Sequence, residues 1–235
     1  MLRFVFDAFK NYRGFHRGPA VGTVSMFEQP LKFFVVFFVV VEPVSLIPLF
    51  TGLTAGATSR YKHRMALKAV SVSALILLLF ALGGAAFLKL MGISLEAFRI
   101  FGGLLLFLLS LEMVFARESG TRTSSSEAVE SRRRADISVF PLAFPFIAGP
   151  GALATILLWF GPLHLAGQAA LFGALLAAVA LVLAIALVLM LLADPLMRVI
   201  GVTGANVAAR LLGVILGALA VQFVLDGLRQ AFAVN

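Results

Sequence analysis

Residues 39–50 read VVVEPVSLIPLF, and residues 141–153 read PLAFPFIAGPGAL. Each stretch lies in an apolar run, and each carries two prolines five positions apart: Pro43 and Pro48, then Pro145 and Pro150. A proline inside a helix removes one backbone hydrogen bond and clashes with the preceding turn. A pair at this spacing, with Gly149 and Gly151 beside the second, predicts an unwound turn in each run. In lipid, unwound backbone is tolerated only where it faces protein or a wet cavity. The two stretches therefore bear on both the fold and the place where function would reside.

The surrounding sequence makes lipid the solvent. The chain has 235 residues, of which 61% are hydrophobic and 13% charged, with a mean hydropathy of +1.06. A water-soluble fold carries about a quarter charged residues and cannot hide this much apolar surface. Six apolar stretches are predicted to be helices: Leu31 to Phe50, Met65 to Leu90, Ser94 to Ala116, Ile137 to Phe160, Gln168 to Ala193 and Asn206 to Gly227. A helix needs about 20 residues to cross about 30 Å of hydrocarbon. The stretches are apolar on every face, as lipid-embedded helices are, and lack the short alternating segments of a barrel.

The organisation expected is an extension at 1–29, a first membrane unit at 30–116, a polar segment at 117–136, a second membrane unit at 137–230 and a tail at 231–235. The extension is basic and lacks the apolar core of a signal peptide. Its Phe4, Phe6, Phe9 and Phe15 suit an interfacial helix, a loosely ordered extension is the alternative, and Met26 is a candidate later start. The polar segment, with Ser124 to Ser126 and Arg132 to Arg134, cannot bury a core.

The two units look duplicated. The proline pairs are offset by 102 residues, and Arg99-x-x-Gly102 recurs as Arg210-x-x-Gly213 at an offset of 111. Three spans per unit is odd, so successive units cross the membrane in opposite senses. The fold class expected is thus an all-α polytopic membrane protein, six helices in two inverted three-helix repeats with the first and fourth broken. Eleven Lys and Arg residues fall on the side of the central polar segment. That side is expected to be cytoplasmic, with both termini on the other.

Composition excludes several functions. With no cysteine there are no disulfides, thiolate metal sites or cysteine nucleophiles. The net charge of +8 fits basic loops on an anionic leaflet, because no basic patch is interleaved with stacking aromatics for nucleic acid. His16, His63 and His164 lie outside the span interiors, and no glycine-rich phosphate loop occurs; neither an enzyme nor an ATP-driven pump is indicated.

The breaks carry the chemistry that remains. A broken helix exposes free N–H groups at one new end and free C=O groups at the other. The first suits a carboxylate and the second an ammonium, so a small zwitterion would fit between them. Packing kinks are the plain alternative. Candidate binding residues are Glu42, Pro43, Ser45, Leu46 and Pro48 in the first span, and Pro145, Ala148, Gly149, Pro150, Gly151 and Thr155 in the fourth. Gln222 on the sixth is a further hydrogen-bonding candidate. Ser110 is a weaker one. Glu42, ionisable within an apolar span, is also the proton-coupling candidate; a capping or interfacial carboxylate is the alternative. Glu112 and Asp226 read as interfacial. Gly83, Gly84, Gly102 and Gly103 read as close helix contacts.

Four stretches together resemble the MarC family of bacterial inner-membrane proteins, which includes the SnatA-type transporters of small neutral amino acids. They are FFVVFFVVVEPVSLIPLFTGLT (33–54), GGLLLFLLSLEMVFA (102–116), FPLAFPFIAGPGALATILL (140–158) and ARLLGVILGALAVQFVLDGL (209–228). The AGPGA piece, Ala148 to Ala152, is the most specific. The resemblance implies six spans, no cofactor, an inner-membrane location and movement of glycine- or alanine-like solutes coupled to a proton or sodium ion. The family usually reads Asp-Pro-x-Gly-Asn-x-Pro in its first span. Here Glu42 keeps the acid, while Leu46 replaces the Asn and removes two donors and one acceptor. The partners expected are the lipid bilayer, a small zwitterion and a coupling ion, with a homo-oligomer compatible. The alternatives are an exporter of another small metabolite, or a non-transporting membrane protein that supports a partner or senses the envelope.

Overall fold

The computed structural model describes residues 23–115, 136–163 and 165–233, and these are helical with no strand among them. Seven α-helices follow in order: α1 Thr23–Val41, α2 Leu46–Leu53, α3 Ser59–Leu90, α4 Leu95–Phe115, α5 Pro150–Phe160, α6 Leu165–Leu191 and α7 Ala193–Ala233. Ahead of α5 lies a wide-turned segment, Ser138–Ile147. Five helical runs are long and apolar enough to cross a membrane, and a sixth span arises if Ser138–Ile147 and Pro150–Phe160 cross as one bent unit. Phe4 to Phe15, the central segment up to Ala135 and His164 lie outside the described residues.

Local chemistry sets several ends. The Thr58 hydroxyl accepts the Tyr61 amide at 3.4 Å and starts α3. The Ser94 hydroxyl accepts the Ala97 amide at 3.1 Å and starts α4. Between them Gly92 adopts φ 71°, the left-handed conformation that ends a helix at little cost without a side chain. Two expected boundaries move. The first helix begins at Thr23 and not near Leu31. The stretch expected to join the fifth and sixth spans is helical on both sides of Gly201, whose φ of 67° interrupts α7.

The first span is the most enclosed: 56% of its most apolar window is buried, against 22% in α3 and in α4. Phe33 and Phe37 of α1 stack at 5.3 Å, and Phe33 also meets Trp159 and Phe160 of α5 edge-on at 5.5 and 5.8 Å. Phe160 in turn meets Phe172 of α6 at 5.0 Å. These edge-to-face contacts hold three helices together at one end of the bundle. Outward-facing Leu75, Leu79, Leu82, Phe101, Leu104 and Leu108 belong against acyl chains.

The most extensive helix pair is α4 with α7, which run antiparallel with small residues between them. A Cβ at Gly103 would lie 2.8 Å from Val224, and one at Gly213 2.8 Å from the Cβ of Met113. One at Gly227 would lie 2.7 Å from Ile100. Lipid offers no hydrophobic drive between helices, so this close approach, with its dispersion contacts, is what binds them. The expected close contacts at Gly102 and Gly84 are also present: a Cβ there would lie 2.7 Å from Ala154 and 2.1 Å from Leu157 respectively, both on α5. Gly83 meets nothing within 4 Å and is no helix contact.

Two ion pairs occupy the opposite end from the aromatic cluster. Lys62 of α3 meets Asp194 of α7 at 2.7 Å, and Lys68 of α3 meets Asp136. Asp136 also accepts the Ser138 amide, at 3.0 Å, and the Ser138 hydroxyl.

A candidate solute site at the fourth-span break

Three prolines in ten residues, Pro141, Pro145 and Pro150, shape the fourth span. A residue before proline is pushed out of the helical region, and Phe140 and Phe144 are both extended, at φ/ψ of −126°/126° and −129°/129°. Both Phe–Pro bonds are cis. The bonds that remain reach five residues back: the Leu142 amide donates to Ile137 at 3.3 Å and the Ala148 amide to Ala143 at 2.8 Å. Gly149 is extended at φ −73° and ψ 174°, and α5 starts at Pro150, the position where a missing N–H costs nothing. The two pieces meet at 54°.

The start of α5 leaves the amides of Gly151 and Ala152 with no carbonyl one turn back. Beside them is a small cavity of about 40 Å³, lined by Val40 of α1, Leu105 and Leu109 of α4, Phe146, and the backbone from Gly149 to Ala152. A volume of this size holds a few waters. It joins a dipolar helix end to an apolar wall. Two glycines shape it. A Cβ at Gly149 would lie 2.1 Å from the Pro145 carbonyl oxygen, and one at Gly151 would lie 2.5 Å from Leu106 and 3.3 Å from Val40. Thr155, fully buried, donates to the Gly151 carbonyl at 2.9 Å.

The first-span break is built differently from the matched unwinding expected between Pro43 and Pro48. It occupies only Glu42 to Ser45, and Pro48 lies in the first turn of α2, where its missing N–H is harmless. Glu42 adopts φ 54°. The amides of Ser45, Leu46 and Ile47 donate three residues back to Glu42, Pro43 and Val44 at 3.1, 3.3 and 3.2 Å. The turn thus closes on itself. The Ser45 hydroxyl donates to the Glu42 carboxylate, which is buried at 2% exposure. Leu46, 1% exposed, packs into the apolar core.

Of the expected site residues, Pro145, Gly149, Pro150 and Gly151 line the cavity; Ala148 and Thr155 are buried beside it in sequence. Glu42, Pro43, Ser45, Leu46 and Pro48 are not among its lining, and Val40 is the first-span residue that reaches it. Gln222 donates instead to Asp226 at 2.8 Å, and Ser110 to the Phe107 carbonyl at 2.7 Å. Asp226, read as interfacial, is buried at 7% exposure, and its Oδ2 has no hydrogen-bond partner among the described residues. Its four-residue spacing from Gln222 signals the helical-face pair. The apolar lining residues carry no sequence signal that separates them from the lipid-facing leucines around them.

Residues 27–232 match the family described as MarC family integral membrane protein. The chain belongs to the MarC family. The family member YhcE of Escherichia coli, a UPF0056 membrane protein, is 34% identical over 88% of this chain and 96% of its own length. A UPF0056 membrane protein of Aquifex aeolicus is 36% identical over 85% of this chain and 92% of its own length. YvbG of Bacillus subtilis, also a UPF0056 membrane protein, is 33% identical over 89% of this chain and 98% of its own length. No solved structure matches the chain. As a MarC family protein it is an integral, multi-pass membrane protein in contact with lipid, and its similarity to these relatives runs over nearly their whole length.

Proposed function

We propose that this MarC family protein is a secondary transporter, not an enzyme. It moves small neutral amino acids across a bacterial inner membrane, driven by a proton or sodium ion. The observation that carries this reading is the open break in the fourth span: free first-turn amides of α5 beside a small apolar-walled cavity between α1, α4 and α5. The helix start holds a carboxylate, and the Val40, Leu105 and Leu109 wall admits a short apolar side chain. The cavity volume is smaller than an amino acid, so loading requires the bundle to move.

Packing partners support an inverted repeat. When the halves of the chain are exchanged, α1 against α6 corresponds to Ser138–Ile147 against α3, and α2 against α7 to α5 against α4; both members of each pair occur. Halves that swap partners in this way suit alternating access by rocking. Glu42, buried in the first span and bonded by Ser45, is the proton-coupling candidate.

Purified protein in vesicles, given labelled glycine, alanine and valine under imposed proton or sodium gradients, tests this. Gradient-driven accumulation is expected. Glu42→Gln is expected to retain exchange while losing drive by a pH gradient; unchanged drive would remove Glu42 from coupling. The apolar lining favours one second reading, export of another small apolar metabolite, which would appear as failure of all three amino acids with gradient-driven flux of that solute. No flux of any kind would leave a non-transporting supporting or sensing role.

A further inference from the structure

Among the described residues, two ion pairs join distant parts of the chain, and both lie at the same end of the bundle. Lys62 and Lys68 lie on α3, in the first half, and their partners Asp194 and Asp136 lie on α7 and at the start of the fourth span. The two pairs span 132 and 68 positions of sequence. At the other end, the pairs recorded among the described residues stay within one helix: Glu28 with Lys32, and Asp226 with Arg229. Pairs within a helix do not resist separation of helices. Pairs that join α3 to the second half do.

We infer that Lys62–Asp194 and Lys68–Asp136 form a gate that holds the bundle shut at the end bearing the central polar segment. The chemistry suits a gate more than a permanent clamp. Asp194, Lys68 and Asp136 keep 44%, 45% and 43% of their side-chain surface exposed, and Lys62 19%, so water already reaches both members of one pair and the carboxylate of the other. Ion pairs this exposed shift an equilibrium by about twofold to fivefold each. Two acting together shift it by about tenfold, enough to set a resting state and little enough to be overcome by a solute that binds the open form better. Gly201, with φ 67°, separates the Asp194 end of α7 from the membrane-crossing part of that helix, and the Leu196 amide donates back to Leu192 at 3.0 Å, so Asp194 sits at the end of α6.

The inference concerns motion and stands whether or not the solute is an amino acid. The chain contains no cysteine, so Ala152→Cys places a single thiol on the cavity wall. Its rate of labelling by a membrane-impermeant maleimide is read separately from each face of oriented vesicles. Lys62→Gln with Lys68→Gln is expected to raise the rate from the central-segment face about tenfold, with little change from the other. Lys62→Asp alone is expected to raise the rate from that face, and adding Asp194→Lys, which reverses the pair, to return it toward the parent rate. Unchanged labelling in the double Gln variant overturns the gate, as does equal acceleration from both faces. Failure of the reversed pair to restore the rate, with thermal unfolding unaltered, also overturns it. A positive result with no amino acid transport keeps the gate and discards the proposed solute.

Discussion

Gly149 is the residue on which the cavity turns. Its φ of −73° is open to any amino acid, so glycine is required there for space and not for backbone freedom. A Cβ would lie 2.1 Å from the Pro145 carbonyl oxygen, and backbone cannot yield as a side-chain tip can. Gly149→Ala is expected to destabilise the protein by about 1–3 kcal/mol through overpacking and to abolish solute binding. Gly83→Ala, where nothing lies within 4 Å, is the control and is expected to be neutral or slightly stabilising. Thermal unfolding in detergent, read beside binding, distinguishes them; equal effects at the two positions would refute the steric argument.

Leu46 shows how a residue's surroundings change its meaning. From its place between two prolines it is a candidate for the site, and the resemblance makes it the position of a lost Asn. In the fold it is 1% exposed and packs in the core. Leu46→Asn is therefore expected to cost about 1–3 kcal/mol for an amide left without partners, without altering the ranking of glycine, alanine and valine. Calorimetry on both versions checks this, and a gain in glycine affinity would place position 46 at the solute.

Among elements, the joint between α3 and the start of the fourth span responds to pH. Lys68, then the Ser138 hydroxyl and amide, hold the Asp136 carboxyl down to about 2 from an ordinary 3.8. A depressed acid stabilises the fold above its unfolded pKa and loses that contribution as pH falls through the folded one. The window is thus from about pH 4 to about pH 2. Because Asp136 is 43% exposed, solvent screening keeps the effect below about 1 kcal/mol. Asp136→Asn is expected to flatten the dependence of thermal stability on pH across this window; an unaltered slope would show that other carboxylates produce it.

At the scale of the whole molecule, the ends of the bundle differ in chemistry. One is closed by an aromatic cluster joining α1, α5 and α6, the other by exposed ion pairs. The basic excess belongs to the ion-paired end, where the central polar segment with its Arg132 to Arg134 run departs. The charge rule predicts that this end faces the cytoplasm. A single cysteine at Ser125 is expected to resist an impermeant thiol reagent in intact cells and to react after lysis; labelling in intact cells would invert the orientation.

Membrane residence, helical class, the order of the apolar runs, and the presence of a break in the first and fourth were legible in the residues alone. They depend on local quantities: apolar length against bilayer thickness, and prolines that cannot donate. What the breaks are like was decided only by tertiary structure. The same Pro-x-x-x-x-Pro spacing closes into a self-bonded turn at Glu42 to Ser45, and at Pro145 to Gly151 it ends a wide-turned segment, passes through an extended Gly149 and starts α5 beside a cavity. Pro141 adds a second extended residue ahead of the fourth-span pair. Leu105, Leu109 and Val40 became cavity walls, and Leu104 and Leu108 lipid-facing surface, though nothing in their apolar neighbourhoods separates them. In a chain whose solvent is as apolar as its core, hydrophobicity marks what is in the membrane but not which way a side chain faces. That direction is set by close approach between helices and by the few polar pairs that join them.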